Sequence, residues 1–195
     1  MAATAWRPIM ALVAVVLSSG CLAGSKAGRV APTPHLGPLV DAAPYICGFV
    51  PEGALRRISG YTGRLTDRRS GLWKSSGDCR TPDVIPEPLS LGWAQRDGDK
   101  VLERLHGGEF ARFGPVPLPA DLGKGSVLLL DDPPGSVTDP YDVVGVFRCG
   151  GVRPWINISL ARVAEGRDAV RDLTELMRIA QRRYGELHGC VPRPR

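Results

Sequence analysis

Five cysteines, Cys21, Cys47, Cys79, Cys149 and Cys190, are the most chemically pointed residues in this chain of 195. With Cys21 set aside an even number remains, and in an oxidising compartment two disulfides are the natural outcome. The pairing Cys47–Cys79 with Cys149–Cys190 is favoured, because each bridge then closes inside one half of the chain. Loops of about 30 to 40 residues would each contribute roughly 3.5–4 kcal/mol in the chain-entropy model. Crossed loops score similarly, so that figure does not choose among the three connectivities. A four-cysteine zinc site is the alternative, but no two of these cysteines stand at the close C-x₂₋₄-C spacing such sites use. No metal or other cofactor is expected.

The remaining reactive residues make weaker patterns. A Ser-His-Asp or Cys-His arrangement would have to use His106, since His35 lies in a polar N-terminal stretch and His188 beside the last cysteine. No nucleophile elbow accompanies it. His106-Gly107-Gly108-Glu109 departs from the H-E-x-x-H zinc helix, because two glycines break the face that would align the ligands. Gly123-Lys124-Gly125-Ser126 echoes a phosphate loop, yet Leu118 stands where its first glycine belongs and Gly125 where Ser/Thr should bind magnesium. Asp131, Asp132, Asp139 and Asp142 could hold calcium or form a solvated acidic turn. Their spacing misses the EF-hand repeat, and Pro133-Pro134-Gly135 suits a hairpin loop. Paired carboxylates for glycoside hydrolysis are defined by distance, so sequence leaves them open and assigns no catalytic residue. Trp155 falls on the opposite strand face from Ile156. If exposed beside Arg153, it would suit a carbohydrate or partner surface; burial under a loop is the other outcome.

The elements that would carry these residues follow from periodicity. Pro51-Glu52, then Ala54, Leu55 and Ile58 before Gly60, predict a short helix with a left-handed glycine stop. Gly63–Asp67 and Gly71–Thr81 are strand candidates. Leu89, Leu91 and Trp93 alternate with Ser90, Gly92 and Ala94, a strand with one apolar face. Asp99 would cap a second short helix ended by Gly107-Gly108. A connector with Pro115, Pro117 and Pro119 precedes two almost continuously apolar runs, Val127–Leu130 and Val143–Phe147, which suit strands covered on both faces. Ile156, Ile158 and Leu160 mark another one-faced strand. Val170, Leu173, Leu176, Met177, Ala180 and Tyr184 form one apolar stripe on a helix from Asp168 to about Tyr184. The expected fold is α+β: a single domain with a mixed or antiparallel sheet and helices on one face. The halves echo each other, Cys79 before Leu89–Trp93 and a helix, Cys149 before Ile156–Leu160 and a helix, so two repeated strand-strand-strand-helix halves stay open.

The N-terminus supplies an address. Arg7 precedes an apolar run from Ile9 to Leu17, followed by Ser18-Ser19-Gly20-Cys21. Nine apolar residues are too few to span a bilayer but enough for a signal-peptide core. Ser-Ser-Gly-Cys resembles the lipobox of bacterial lipoproteins, in which the cysteine becomes the lipidated N-terminus. It departs from the commonest form, since Leu17 lies four residues before the cysteine and Ser18 takes the usual leucine place. That resemblance implies a signal peptide over 1–20 and lipidation at Cys21. Residues 21–43, proline-punctuated and without periodicity, read as a tether, and 44–195 as the extracytoplasmic domain. Secretion with a free Cys21 is the alternative. No later segment is apolar for long enough to span a bilayer.

The 21 arginines against 4 lysines, in a chain rich in Ala, Gly, Pro and Val, read as a GC-rich genome. The net charge of +5 is modest, and nucleic acid is an improbable partner outside the membrane. The pattern Ile46-Cys47-Gly-Phe-Val-Pro-Glu-Gly-Ala-Leu…Gly60, then Ser76-Gly-Asp-Cys79, a late strand, a long helix and terminal Cys190, is similar to uncharacterised actinobacterial lipoproteins built on one small α+β domain. The resemblance implies a lipid-anchored or secreted protein and carries over no catalytic residue. The functional expectation is a non-enzymatic binding or accessory module at the outer face of the cytoplasmic membrane. Its partners would be the membrane, through the lipid, and an envelope protein or small ligand. An envelope enzyme acting on wall glycans through carboxylates is the alternative, and a cleft with two carboxylates of perturbed pKa would favour it.

Overall fold

The computed structural model describes residues 37–130 and 139–194. The signal segment, Cys21, His35, Asp131 and Asp132 lie outside them. The chain runs β1 (Tyr45–Ile46), β2 (Val50–Pro51), α1 (Glu52–Ser59), β3 (Arg68–Ser70), β4 (Ser76–Arg80), β5 (Leu89–Ala94) and α2 (Gly98–His106). It continues through β6 (Val116–Pro117), β7 (Lys124–Leu129), β8 (Tyr141–Val146), β9 (Arg148–Cys149), β10 (Trp155–Leu160), α3 (Ala169–His188) and β11 (Pro192–Arg193). Seven strands form one sheet in the order β3-β4-β5-β10-β8-β7-β6, with every neighbouring pair antiparallel. Two-stranded pairs β1–β2 and β9–β11 complete an α+β domain.

Alternation along the central strands decides what the sheet buries. Leu89, Leu91 and Trp93 of β5 and Ile156, Ile158 and Leu160 of β10 point to one face, which we call the first. There they meet Ala54, Leu55 and Ile58 of α1 and Leu173, Leu176, Met177, Ala180 and Tyr184 of α3. Gly145 in β8 lets α3 sit close, since a Cβ there would lie 2.8 Å from Met177 Sδ. Asp168 caps α3 by accepting the Arg171 amide at 3.0 Å. Gly189 ends the helix in the left-handed region at φ 65°. The helix runs one turn beyond the predicted Tyr184, to His188.

Both apolar runs are strands covered on both faces, as their composition predicts. Val127 and Val143 enter the main core, whereas Leu128, Leu130, Val144 and Val146 join a smaller cluster with Leu102 of α2 on the second face. The helix α2 therefore lies across the sheet from α1 and α3. That arrangement limits the echo between the halves: the first supplies three strands to the sheet (β3, β4, β5) and the second four (β6, β7, β8, β10), and the helices that follow go to opposite faces.

Some local expectations change. Residues 63–67 make no strand, and β4 occupies only 76–80 of the candidate 71–81. Asp97, in the left-handed region at φ 67°, precedes α2 without a side-chain cap bond. Asp99 sits in the first turn and pairs with Arg153 instead. Residues 37–43, read as tether, make contacts with the domain. Leu39 packs against the main core, Pro38 O accepts Arg57 Nη1 at 2.6 Å, and Asp41 pairs with Arg182 at 2.9 Å.

Candidate functional site

The second face of the sheet carries a set of polar side chains. Pairing register arranges them in rows across the strands. One row runs Asp142 (β8), Ser159 (β10), Ser90 (β5), Arg80 (β4) and Arg68 (β3). The next runs Ser126 (β7), Val144, Asn157, Gly92, Asp78 and Ser70. A third runs Val146, Trp155, Ala94 and Ser76. Here α2 reaches β7 and β8, leaving Asp78, Arg80 and Arg68 exposed and Ser90, Gly92 and Ala94 half-buried.

At one end of the first row sits a closed hydrogen-bond network. Asn157 Nδ2 donates to both Asp142 carboxylate oxygens, at 2.7 and 2.9 Å, and Ser159 Oγ donates to Oδ2 at 2.6 Å. These bonds favour the carboxylate. Burial outweighs them and pushes the Asp142 carboxyl above its usual range, with nearby Asp139 adding to the shift. Asp139 is only 7% exposed, and burial raises its carboxyl too, aided by Glu87 and opposed by Arg80. A solvated acidic turn does not describe these two aspartates. Asp142 is a strand residue with a bound carboxylate, and Asp139 is buried.

At the other end, Arg68 and Arg80 are direct Cα partners across β3–β4. Two cations directly opposite one another repel. Arg80 also lies close enough to Asp139 to lower that carboxyl's pKa. In the middle, the side chains of Asp78 and Trp155 lie over Gly92. A Cβ there would lie 3.4 Å from Asp78 Oδ1 and 3.7 Å from Trp155 Cζ3. The small residues Ser90, Gly92 and Ala94 thus sit low between the side chains of β4 on one side and β10 on the other.

Trp155 is half-buried rather than free. Its indole N–H donates to Arg96 O at 2.9 Å, and its ring packs against the smaller cluster. Arg153 is exposed and paired with Asp99, beside a depression of about 520 Å³ lined by Gln95, Arg96, Asp97 and Lys100 among others. The two residues therefore do not share one open surface.

The four later cysteines form Cys47–Cys79 and Cys149–Cys190, with Cα separations of 5.7 and 5.4 Å. Asp67 Oδ2 accepts the Cys47 amide at 2.8 Å and lies 3.8 Å from Cys79 Sγ. The joined sulfurs leave that carboxylate bracing the bridge. His106, at the end of α2, places Nε2 2.9 Å from Ser126 Oγ. His188 stacks on Tyr184 with ring centroids 4.1 Å apart, and burial lowers its pKa. Beneath it Trp93 Nε1 is buried without a hydrogen-bond partner, and Tyr184 Oη is buried near the Gln95 side chain.

Sequence reasoning missed Arg68, Asp78, Arg80 and Asn157. Their signal was the polar half of the alternation in strands whose apolar half was read correctly. No family model, curated protein or solved structure matches this chain.

Proposed function

We propose that this protein is a cell-envelope lipoprotein whose domain is a non-enzymatic binding module, anchored through lipid on Cys21 and facing outward from the cytoplasmic membrane. The second face of the sheet is its binding face. The observation that carries this reading is the polar surface across β4, β5 and β10, where Asp78 and Arg80 are exposed beside half-buried Ser90 and Asn157. On that face two like charges, Arg68 and Arg80, stand directly opposite each other. Two disulfides support an extracytoplasmic address. No helix among the described residues is long and apolar enough to cross a membrane.

A photo-crosslinking residue at Ser90, compared with one at exposed Arg171 on α3, tests the face. One defined adduct from Ser90 in native membranes, absent from Arg171, is the expected result. Equal labelling from both positions, or none from Ser90, overturns it. Lipidation has a separate test: Cys21→Ala moves the protein out of the membrane fraction, and continued membrane attachment at unchanged mass refutes the anchor.

Asp139 and Asp142 favour a second reading, an envelope enzyme acting on wall glycans through carboxylates. Both carboxyls are raised, as a general acid requires. Against it, both Asp142 oxygens already accept hydrogen bonds from Asn157 and Ser159. Release of reducing ends from wall glycan, lost in Asp142→Asn, would establish the enzyme; no release by the wild type removes it.

A further inference from the structure

Given the membrane address proposed above, we infer that the tip of the β3–β4 hairpin docks on an anionic bilayer surface. Leu72 enters the acyl boundary there, and Arg68 and Lys74 meet the headgroup phosphates.

The hairpin turns over residues 71–75, where Leu72 O accepts the Ser75 and Ser76 amides at 2.8 and 3.0 Å. Those bonds fix the turn and leave the leucine at its tip 76% exposed. Solvated turns favour Gly, Pro, Asn, Asp and Ser, so a bare leucine there answers to something other than turn chemistry. The next residue, Trp73, is half-buried against Phe49 and Trp93, with ring centroids 6.1 and 5.8 Å apart. The Arg69 guanidinium lies over its ring, 5.2 Å from the centroid. The tip therefore stands on a rigid aromatic base. Leu187 of α3, 45% exposed, flanks the same base. A Cβ on Gly48 would meet Leu187 Cδ1 at 3.6 Å and Arg69 Nη2 at 4.0 Å.

Charge selects the occupant. Residues 68–77 carry Arg68, Arg69 and Lys74 and no carboxylate. The neighbouring Asp67 is engaged by Arg69 at 2.9 Å and by the Cys47 amide at 2.8 Å, whereas Arg68 and Lys74 are exposed. Cations guard edge strands against pairing with other chains, which accounts for Arg68 and Arg69 on β3. It does not account for Lys74 beyond the strand, nor for the leucine between them. A headgroup layer is roughly 5–7 Å deep, so long basic side chains a few residues behind Leu72 lie level with phosphates when the leucine reaches the acyl boundary. The opposite end of β4 supplies the contrast. Ile85, 93% exposed, stands in the 81–88 loop with Asp83 and Glu87 and no cation. An anionic surface draws the Leu72 tip and repels the Ile85 tip, which sets the domain end-on and keeps the second sheet face clear. A protein partner calls for about 800 Å² of matched surface, far more than one convex turn offers, while lipid needs no matching shape.

The test is amide hydrogen exchange of the protein purified from membranes, placed on nanodiscs of phosphatidylcholine alone or with phosphatidylglycerol at about three to one. Exchange over 70–75 should be about tenfold slower on the mixed discs, with no difference at 169–172, the start of α3. Leu72→Ser and Arg68→Ser/Lys74→Ser, with melting temperatures checked, should each remove most of that slowing, and Ile85→Ser should leave it intact. Equal exchange on the two kinds of disc overturns the inference, as does slowing that survives either of the first two variants. A Ser75 crosslinker that captures one protein in native membranes, with no slowing on mixed discs, assigns the tip to a protein and overturns lipid docking. Cys21→Ala reads the anchor separately. If the wild type stays on the discs with 70–75 unslowed, docking falls and the anchor stands. If Cys21→Ala binds as the wild type does and 70–75 is still slowed, the anchor falls and docking stands.

Discussion

The two disulfides close loops of nearly equal length, 32 and 41 residues, yet their removal should not cost the same. The chain-entropy relation gives about 3.7 kcal/mol for the first and about 3.9 kcal/mol for the second at 25 °C. Cross-linking alone therefore ranks Cys149–Cys190 marginally ahead. Packing reverses that order. Cys47 and Cys79 are both fully buried in the main core, whereas Cys190 is half-buried at the end of α3. Replacing Cys47 and Cys79 by Ala removes two sulfurs from a site lined by close-packed side chains, adding a cavity cost of about 1–2 kcal/mol. The Cys149→Ala/Cys190→Ala variant leaves one such void, at Cys149, which is 2% exposed in the same core, so its cavity cost is about half as large. Urea unfolding of the oxidised protein and both double variants, read at the midpoint and slope, measures the difference. The slope should rise in both variants, because the unfolded chain expands once a cross-link is lost. A greater loss for Cys149–Cys190, or a loss below about 1 kcal/mol for either, would falsify the reasoning.

Other expectations follow from single positions. Because the folded state raises the Asp142 pKa, its contribution to stability is present below the ordinary carboxyl value of 3.8 and is lost as pH rises through the folded value. Asp142→Asn should accordingly gain on the wild type between acid and neutral pH, seen as a flatter plot of melting temperature against pH; parallel curves refute the shift. Tyr184→Phe removes a buried hydroxyl whose contact with the Gln95 side chain falls short of a full hydrogen bond and should leave stability unchanged or raise it by about 1 kcal/mol in urea unfolding, where an equal loss would show that Gln95 bonds it fully. Gly125→Ala would place a Cβ 2.0 Å from Val144 O and should abolish soluble expression, because β7 cannot then pair with β8.

Periodicity made the main elements legible. The stripe from Val170 to Tyr184 and the alternations at Leu89 and Ile156 each name a face, and those faces meet in the core. The continuous apolar runs correctly announced strands covered twice. Cysteine number and spacing led to the bridges that form. What stayed hidden depended on neighbours distant in the chain. The Arg68–Arg80 pair appears only once β3 and β4 are in register, and the need for a glycine-sized residue beneath Asp78 and Trp155 only once both lie over position 92. Asp142 looked like part of an acidic turn because nothing local reveals that Asn157 and Ser159 lie opposite it. Trp155 looked exposable because its partner, Arg96 O, is 59 residues away.

Strand order has a consequence for how such a chain matures. Among the described residues, hydrogen-bonded strand pairs join the N-terminal and C-terminal halves at one seam only, β5 against β10, from Leu89↔Leu160 to Ala94↔Trp155. Each disulfide lies wholly to one side of that seam. Oxidation can therefore staple either half without committing the join, and closing the seam depends on a contact between segments more than 60 residues apart. A chain that emerges in stretches can complete its covalent chemistry piecewise and assemble the sheet afterwards, with no bond to undo if the halves first meet out of register.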